Sequence, residues 1–118
     1  MIILDNMKRF GILGAGTWGT ALGNMLENMG HHVVIWSPVQ EEVDKLISKR
    51  IHKHLPDTPI NTYIEFSTDE EYVIKDKDYI IVATPSIYVR ETIENVKHLI
   101  KKEEFNLTNI DYSSLYCL

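Results

Sequence analysis

Residues 9–29 constrain the fold of this chain more than any other part of the sequence. A short apolar run at residues 10–13 is followed by Gly14, Gly16 and Gly19, and then by residues that favour a helix. This order predicts a strand, a glycine turn and a helix. The spacing G-x-G-x-x-G between a strand and a helix is typical of a dinucleotide-binding loop, so the predicted fold class is α/β.

Each glycine of this loop has a predicted role. Gly14 permits the tight turn after the strand, Gly16 lets the backbone approach a pyrophosphate, and Gly19 lets the helix pack closely on the strand. The free amides at the start of the helix would then face the phosphates. From the motif alone, a glycine-rich turn in an unrelated α/β protein is the alternative.

Length, charge and cysteine content limit the classes of protein to consider. A chain of 118 residues is the size of one domain with one core. Its formal net charge is -5 and its basic residues are dispersed, which argues against a nucleic-acid partner. Cys117 is the only cysteine, so an internal disulfide is impossible and we expect a cytoplasmic location.

We predict no metal site. His52 and His54 lie two residues apart, but no thiolate or carboxylate stands at ligand spacing beside them. The neighbouring basic residues Lys49, Arg50 and Lys53 are interpreted as a solvated helix end, where cations suit the helix dipole. A position close to a phosphate is the alternative interpretation of this basic group.

The sequence also predicts no membrane span. Residues 10–26 carry no charge, but their glycines and polar residues dilute the apolar character and break a single helix near its middle. Residues 1–7 are interpreted as a leader, with Met7 as an alternative start.

The rest of the chain alternates helices and strands, which predicts a Rossmann-like, doubly wound and mostly parallel sheet. Gly30 is placed to end the first helix, and Thr68 with Glu71 forms a predicted capping box. The further predicted elements are a strand at 33–36, a helix at 40–49, a strand at 63–66, a helix ending near 75, a strand at 79–83, a helix at 87–100 and a strand at 107–110.

The loop after the second strand lacks the acidic residue that holds the adenosine ribose in many such folds. Trp36, Ser37 and Pro38 occupy that place. Glu41 and Glu42 follow later and are interpreted as first-turn carboxylates favoured by the helix dipole. With neither an acid to repel a 2′-phosphate nor a base to bind it, we expect little discrimination between NAD and NADP.

Four segments carry a family resemblance. They are GAGTWGTAL at residues 14–22, VVIWS at 33–37, HKHLPDTPI at 52–60 and IIVATPSIYVRE at 80–91. In this order they resemble the amino-terminal half of the bacterial NAD(P)-dependent glycerol-3-phosphate dehydrogenases. Together they are far more specific than three glycines, and the resemblance covers roughly residues 8–100.

The resemblance implies a site for NAD or NADP at the glycine loop. The residues that would cradle the pyrophosphate are Gly14, Gly16, Thr17, Trp18 and Gly19. Pro85 and Tyr88 would border the nicotinamide.

Other positions matched by the resemblance are less regular. His54 falls where many members have an aromatic residue lining the cofactor site. Pro38 falls where the family often has a basic or aromatic residue near the adenosine ribose. Lys53 and Arg90 are further candidates for cofactor contact.

By resemblance, the expected reaction is the interconversion of sn-glycerol 3-phosphate and dihydroxyacetone phosphate, which supplies glycerophospholipid precursors. We expect a cofactor domain at residues 8–112 and a divergent tail at residues 113–118. The family's lysine-containing segment and helical substrate domain are not recognisable here, so the sheet is expected to be incomplete at its carboxy end. We therefore expect no catalytic residue in this chain, substrate binding only if that domain is supplied, and self-association through an uncovered apolar face.

Competing functions follow from the same observations. The chain could be a non-catalytic dinucleotide-binding module or a nonfunctional fragment. Among dehydrogenases, the alternative is a relative of the 6-phosphogluconate or UDP-glucose dehydrogenase type, against which the segment at residues 52–56 argues.

Overall fold

The computed structural model of the protein describes residues 6–105 and 115–117. Its elements alternate along the chain, as the sequence predicts. In order they are β1 (Arg9–Leu13), α1 (Thr17–Asn28), β2 (His32–Trp36), α2 (Gln40–Lys49), β3 (Ile51–His52), β4 (Leu55–Pro59), β5 (Glu65–Ser67), α3 (Glu70–Ile74), β6 (Tyr79–Val82), a 3₁₀ turn (Ser86–Tyr88), α4 (Val89–Phe105) and β7 (Leu115–Cys117).

Five strands form one sheet in the order β5-β2-β1-β6-β7, and every neighbouring pair is parallel. Gly11 of β1 lies opposite Val34 of β2 on one side and Ile80 of β6 on the other. Parallel strands need crossover connections, which the helices supply. The predicted Rossmann-like α/β fold is confirmed.

The core has two layers because side chains alternate between the faces of a strand. On one face, Ile12 and Ile35 pack with residues of α1 and α2. On the other face, Leu13 and Val34 pack with α3 and with Val96 of α4. Helices therefore cover both faces, and the carboxyl ends of β1, β2 and β6 are left to form a common edge.

Several predicted elements are confirmed closely. The structure gives α2 the predicted bounds, Gln40–Lys49, while β2 and β6 differ from the prediction by one residue at one end. The first helix ends as expected, since Gly30 lies just beyond it with φ of 99°.

The predicted capping box at Thr68 and Glu71 is wrong. Asp69 is the N-cap of α3, and its carboxylate accepts hydrogen bonds from the backbone amides of Glu71 at 3.0 Å and Tyr72 at 3.3 Å. Thr68 lies one residue too early to reach those amides, and its hydroxyl instead donates to Gln40.

The segment after α2 forms an antiparallel hairpin of β3 and β4, where the sequence predicts only a solvated helix end. Asn24 of α1 fixes its far end: its side-chain amide donates to the carbonyl of Pro59, and its Oδ1 accepts from the amide of Asn61. These contacts join residues more than thirty positions apart. Local sequence patterns do not carry such information.

At the carboxy side, β7 extends the sheet beyond β6, with Leu115 opposite Ile80 and Cys117 opposite Val82. This strand lies in the segment interpreted as a divergent tail. The strand predicted at residues 107–110 falls outside the described residues. Among the helices in the described part of the chain, none combines the length and apolar character that a membrane span requires.

Candidate functional site

The glycine loop joins the end of β1 to α1 through a conformation that Gly14 makes possible. Gly14 has φ of 134°, and its amide donates to the carbonyl of Trp36 at 3.0 Å. A Cβ at Gly14 would lie 2.7 Å from the carbonyl oxygen of Ala83. The loop is thus fitted between the ends of β2 and β6, and a larger residue there would displace one of them.

Gly19 holds α1 close to the same loop. A Cβ at this position would lie 2.2 Å from the carbonyl oxygen of Gly14. The helix therefore rests on the loop backbone just after β1, whereas the sequence predicts that this glycine lets the helix pack on the strand itself.

Gly16 is different, because the space beside it is open. It is the N-cap of α1 with φ of -76°. Apart from its two chain neighbours, no heavy atom of the described residues lies within 4 Å of the place that a Cβ would occupy. No side chain in the described part of the chain caps this helix, and its first turn holds no acidic residue. The first amides of a helix have no partner within the helix, so those of Thr17 and Trp18 are available to an anion. This arrangement fits a pyrophosphate group.

A cavity of about 1440 Å³ lies over the loop at the carboxyl ends of β1, β2 and β6. Open α/β sheets bind ligands at this edge. The volume exceeds the 300–1,000 Å³ or so typical of pockets for small ligands, which suits an extended ligand such as a dinucleotide.

Most of the predicted cofactor residues meet in this cavity. From the glycine loop, the lining includes Gly14, Gly16, Thr17 and Trp18. Pro38 after β2 and Pro85 and Tyr88 after β6 complete the set. Gly19 lies beneath the loop, where it positions the helix.

His54 and the two other candidates, Lys53 and Arg90, are exposed and do not line this cavity. His52 contacts the loop instead. It is buried, and its Nε2 lies 3.2 Å from the carbonyl oxygen of Ala15. Its Nδ1 accepts the backbone N–H of His54 at 3.1 Å, so in the neutral ring Nε2 carries the proton and donates to Ala15. The sequence alone does not predict this contact of His52 with the loop. Among the described residues, no group of side chains is suited to hold a metal ion.

The loop after β2 contains no acidic residue, as expected, but the carboxylate of Glu42 from α2 reaches back to it. Ser37 directly follows β2, is buried, and donates its hydroxyl hydrogen to Oε1 of Glu42 at 2.6 Å. Glu42 lies in the first turn of α2, as predicted, and also lines the cavity. The sequence does not reveal this contact, because Ser37 and Glu42 are five residues apart. The chain turns into α2 between them, and this turn brings the two side chains together.

Helices α3 and α4 contribute polar residues to the cavity lining. These residues are Glu70, Glu91, Thr92 and Asn95. Burial raises the pKa of the Glu70 carboxyl above its ordinary value of 4.5, although the nearby His98 opposes this effect. Its Oε2 is buried and has no hydrogen-bond partner among the described residues. No lysine or arginine is found among the described residues that line the cavity.

Comparison with known proteins points to one family. The family described as "NAD-dependent glycerol-3-phosphate dehydrogenase N-terminus" matches residues 9–110. Glycerol-3-phosphate dehydrogenase [NAD(P)+] 2 of Lactobacillus delbrueckii subsp. bulgaricus is 46% identical over 84 residues, which are 71% of this chain and 25% of that protein. Glycerol-3-phosphate dehydrogenase [NAD(P)+] of Agathobacter rectalis is 42% identical over 97 residues, 81% of this chain and 29% of that protein.

Solved structures agree. The crystal structure of glycerol-3-phosphate dehydrogenase from Coxiella burnetii matches with a TM-score of 0.72 and 29% identity, over 79% of this chain and 29% of that one. A glycerol-3-phosphate dehydrogenase structure from Plasmodium falciparum gives 0.66 and 26%, over 78% of this chain and 28% of that one. The chain therefore spans less than a third of the length of these relatives. Because the family match takes in well over half of its 118 residues, the chain belongs to the NAD-dependent glycerol-3-phosphate dehydrogenase family and corresponds to its amino-terminal domain.

Proposed function

We propose that this chain binds NAD or NADP as the cofactor-holding part of a glycerol-3-phosphate dehydrogenase. The observation that carries the proposal is the open face of Gly16 at the uncapped start of α1, within the cavity at the strand ends. The amides of Thr17 and Trp18 would hold the pyrophosphate, and His52 would keep the loop in place through Ala15.

The bound nicotinamide would supply hydride transfer, and the chain's own residues would position it. Pro85 and Tyr88, after β6, would border the nicotinamide end of the cavity. For the whole family protein, we propose the interconversion of sn-glycerol 3-phosphate and dihydroxyacetone phosphate, in the cytoplasm, as a source of glycerophospholipid precursors.

Binding can be tested through the two tryptophans of the chain. Trp18 and Trp36 both line the cavity, so bound NADH should change their fluorescence in a saturable manner. N-acetyltryptophanamide titrated in parallel corrects for light absorbed by the nucleotide. The proposal would be contradicted if the fluorescence of the protein changed no more than that of the control at NADH concentrations up to about 1 mM.

A non-catalytic dinucleotide-binding role for these 118 residues is the second candidate. The absence of lysine and arginine from the described cavity lining favours it, because reduction of a carbonyl needs a charged group beside the oxygen. Oxidation of NADH or NADPH by the purified chain with dihydroxyacetone phosphate separates the two roles. We expect no substrate-dependent turnover, because both positioning and acid catalysis need groups that this lining lacks.

Self-association is a further proposal. Trp18, which lines the cofactor cavity, is 78% exposed. Ile87, on the turn after β6, is 79% exposed. Contact with another protein surface would remove these apolar side chains from water, which is favourable. Sedimentation velocity at several protein concentrations would detect this.

A further inference from the structure

Glu42 is an exposed residue, and the hydroxyl of the buried Ser37 holds one oxygen of its carboxylate. The Ser37 hydroxyl accepts the backbone N–H of Val39 at 3.2 Å and donates to Oε1 of Glu42 at 2.6 Å. Because Ser37 is 1% exposed, it has little freedom to turn elsewhere. The second carboxylate oxygen, Oε2 of Glu42, has no hydrogen-bond partner among the residues that the structure describes. One oxygen is thus anchored and the other is available.

The place of this carboxylate follows from the loop geometry. The amide of Gly14 donates to the carbonyl of Trp36, so the ends of β1 and β2 are joined directly. Glu42 lines the same cavity as Gly16 at the start of α1. A dinucleotide with its pyrophosphate on the start of α1 has its adenosine ribose just beyond the end of β2. The anchored carboxylate stands on that side of the cavity.

We propose that Glu42 reads the adenosine ribose and selects NAD over NADP, with Ser37 as the residue that positions it. The inference rests on the proposed function and deepens it. A carboxylate accepts hydrogen bonds from the ribose hydroxyls of NAD, whereas the 2′-phosphate of NADP would place a second negative group against it. This replaces the sequence expectation of little discrimination.

Basic residues near Glu42 would act against this selection, because they attract the 2′-phosphate of NADP. Lys45, Lys49 and Lys53 line a neighbouring depression of about 830 Å³ that also includes Glu42. Lys45 is paired with Glu41, whose Oε1 lies 3.1 Å from its Nζ. Within the described lining of the cofactor cavity, the charged residues are glutamates. A 2′-phosphate in that cavity would therefore meet like charge, and the lysines could favour it only from outside the cavity.

The test compares the dissociation constants of NADH and NADPH for the 118-residue chain and two variants. In wild type, we expect NADH to bind more than about tenfold tighter than NADPH, because hydrogen bonds to a charged group are strong. Glu42→Gln keeps the size and one acceptor but removes the charge. It should bring the two constants within about threefold of each other, mainly by tighter NADPH binding.

Glu41→Gln is the matched control. It removes the same charge from the adjacent residue, whose carboxylate faces Lys45 and does not line the cofactor cavity. The NADH to NADPH ratio should stay at the wild-type value. Circular dichroism of each variant checks that the chain is folded, and Ser37→Ala should weaken discrimination less than Glu42→Gln does.

Each other outcome has a definite meaning. Equal affinity of wild type for the two nucleotides, or a ratio that Glu42→Gln leaves unchanged, overturns the role of Glu42 while leaving dinucleotide binding intact. Tighter NADPH binding by wild type overturns it in favour of the lysines. Failure of both nucleotides to bind folded wild type contradicts the proposed function, and this inference with it.

Discussion

Glu65, the first residue of β5, is held by side chains from two other elements. His32 Nε2 lies 2.7 Å from its Oε2, and the Tyr72 hydroxyl donates to its Oε1. Burial raises the pKa of Glu65, but the hydrogen bonds from Tyr72 and His32 outweigh it, and the pKa lies below its ordinary value of 4.5. The same bond raises the pKa of Tyr72, because the phenol must stay protonated to donate. Folding therefore favours the ionised form of the Glu65 carboxyl over its protonated form.

This cluster predicts a contribution to acid unfolding. A carboxyl whose pKa is lowered by folding stabilises the protein fully above its ordinary value of 4.5, and this stabilisation is lost as pH falls below it. Urea unfolding between about pH 5 and pH 3 should therefore show a shallower loss of unfolding free energy in Glu65→Gln than in wild type. Tyr72→Phe, which removes one donor, should lie between them. Parallel pH profiles for all three proteins would contradict the assignment.

At the scale of elements, α3 shows how side chains complete a short helix. Asp69 accepts from two amides at its start, and the ammonium group of Lys77 donates to the carbonyls of Tyr72 and Lys75 at its end. Burial lowers the pKa of Lys77, although the nearby Glu65 opposes this effect. Both ends of this five-residue helix are thus satisfied by side chains, as short helices require.

The structure and the sequence pattern name different caps for α3, and a pair of substitutions separates them. Asp69→Ala should lower the unfolding free energy by about 1 kcal/mol, the typical cost of losing an N-cap. Thr68→Ala should change it by less than about 0.5 kcal/mol, because its hydroxyl bonds only at 3.4 Å to Gln40. Urea denaturation measures both. A larger loss of unfolding free energy in Thr68→Ala than in Asp69→Ala would show that Thr68, and not Asp69, caps α3.

The regular elements were predictable because their signals are local. Apolar spacing and turn residues identified α1, α2, β2 and β6 within a residue or two. The hairpin of β3 and β4 was not predictable, since contacts such as that of Asn24 with Pro59 hold it from a distance.

The candidate site likewise has one part that the sequence predicts and another part that it does not. The glycine loop has a sequence signature that predicted its conformation. The positions of His52 and Glu42 depend on where the chain returns to that loop in space, and no local pattern encodes this.

At the scale of the whole molecule, two core layers hold the strand ends in register beneath the cofactor cavity. The hydrogen bonds of Gly14 and His52 hold the loop against β2 and the β3–β4 hairpin. The chain spans 25% and 29% of two of its curated relatives, and the described cavity lining supplies no cation. The proposed function therefore depends on nucleotide binding at Gly16.

Calorimetric titration of NADH into wild type and Gly16→Ala tests this most directly. Beyond the chain neighbours of Gly16, the added methyl group meets no atom of the described residues within 4 Å, and the backbone φ of -76° suits alanine, so the variant should keep the wild-type fold and melting temperature. It would, however, occupy the space where the pyrophosphate approaches the loop. We predict that NADH affinity falls by at least about tenfold, or 1.4 kcal/mol. Equal affinity of the two folded proteins would show that the nucleotide does not bind against this loop.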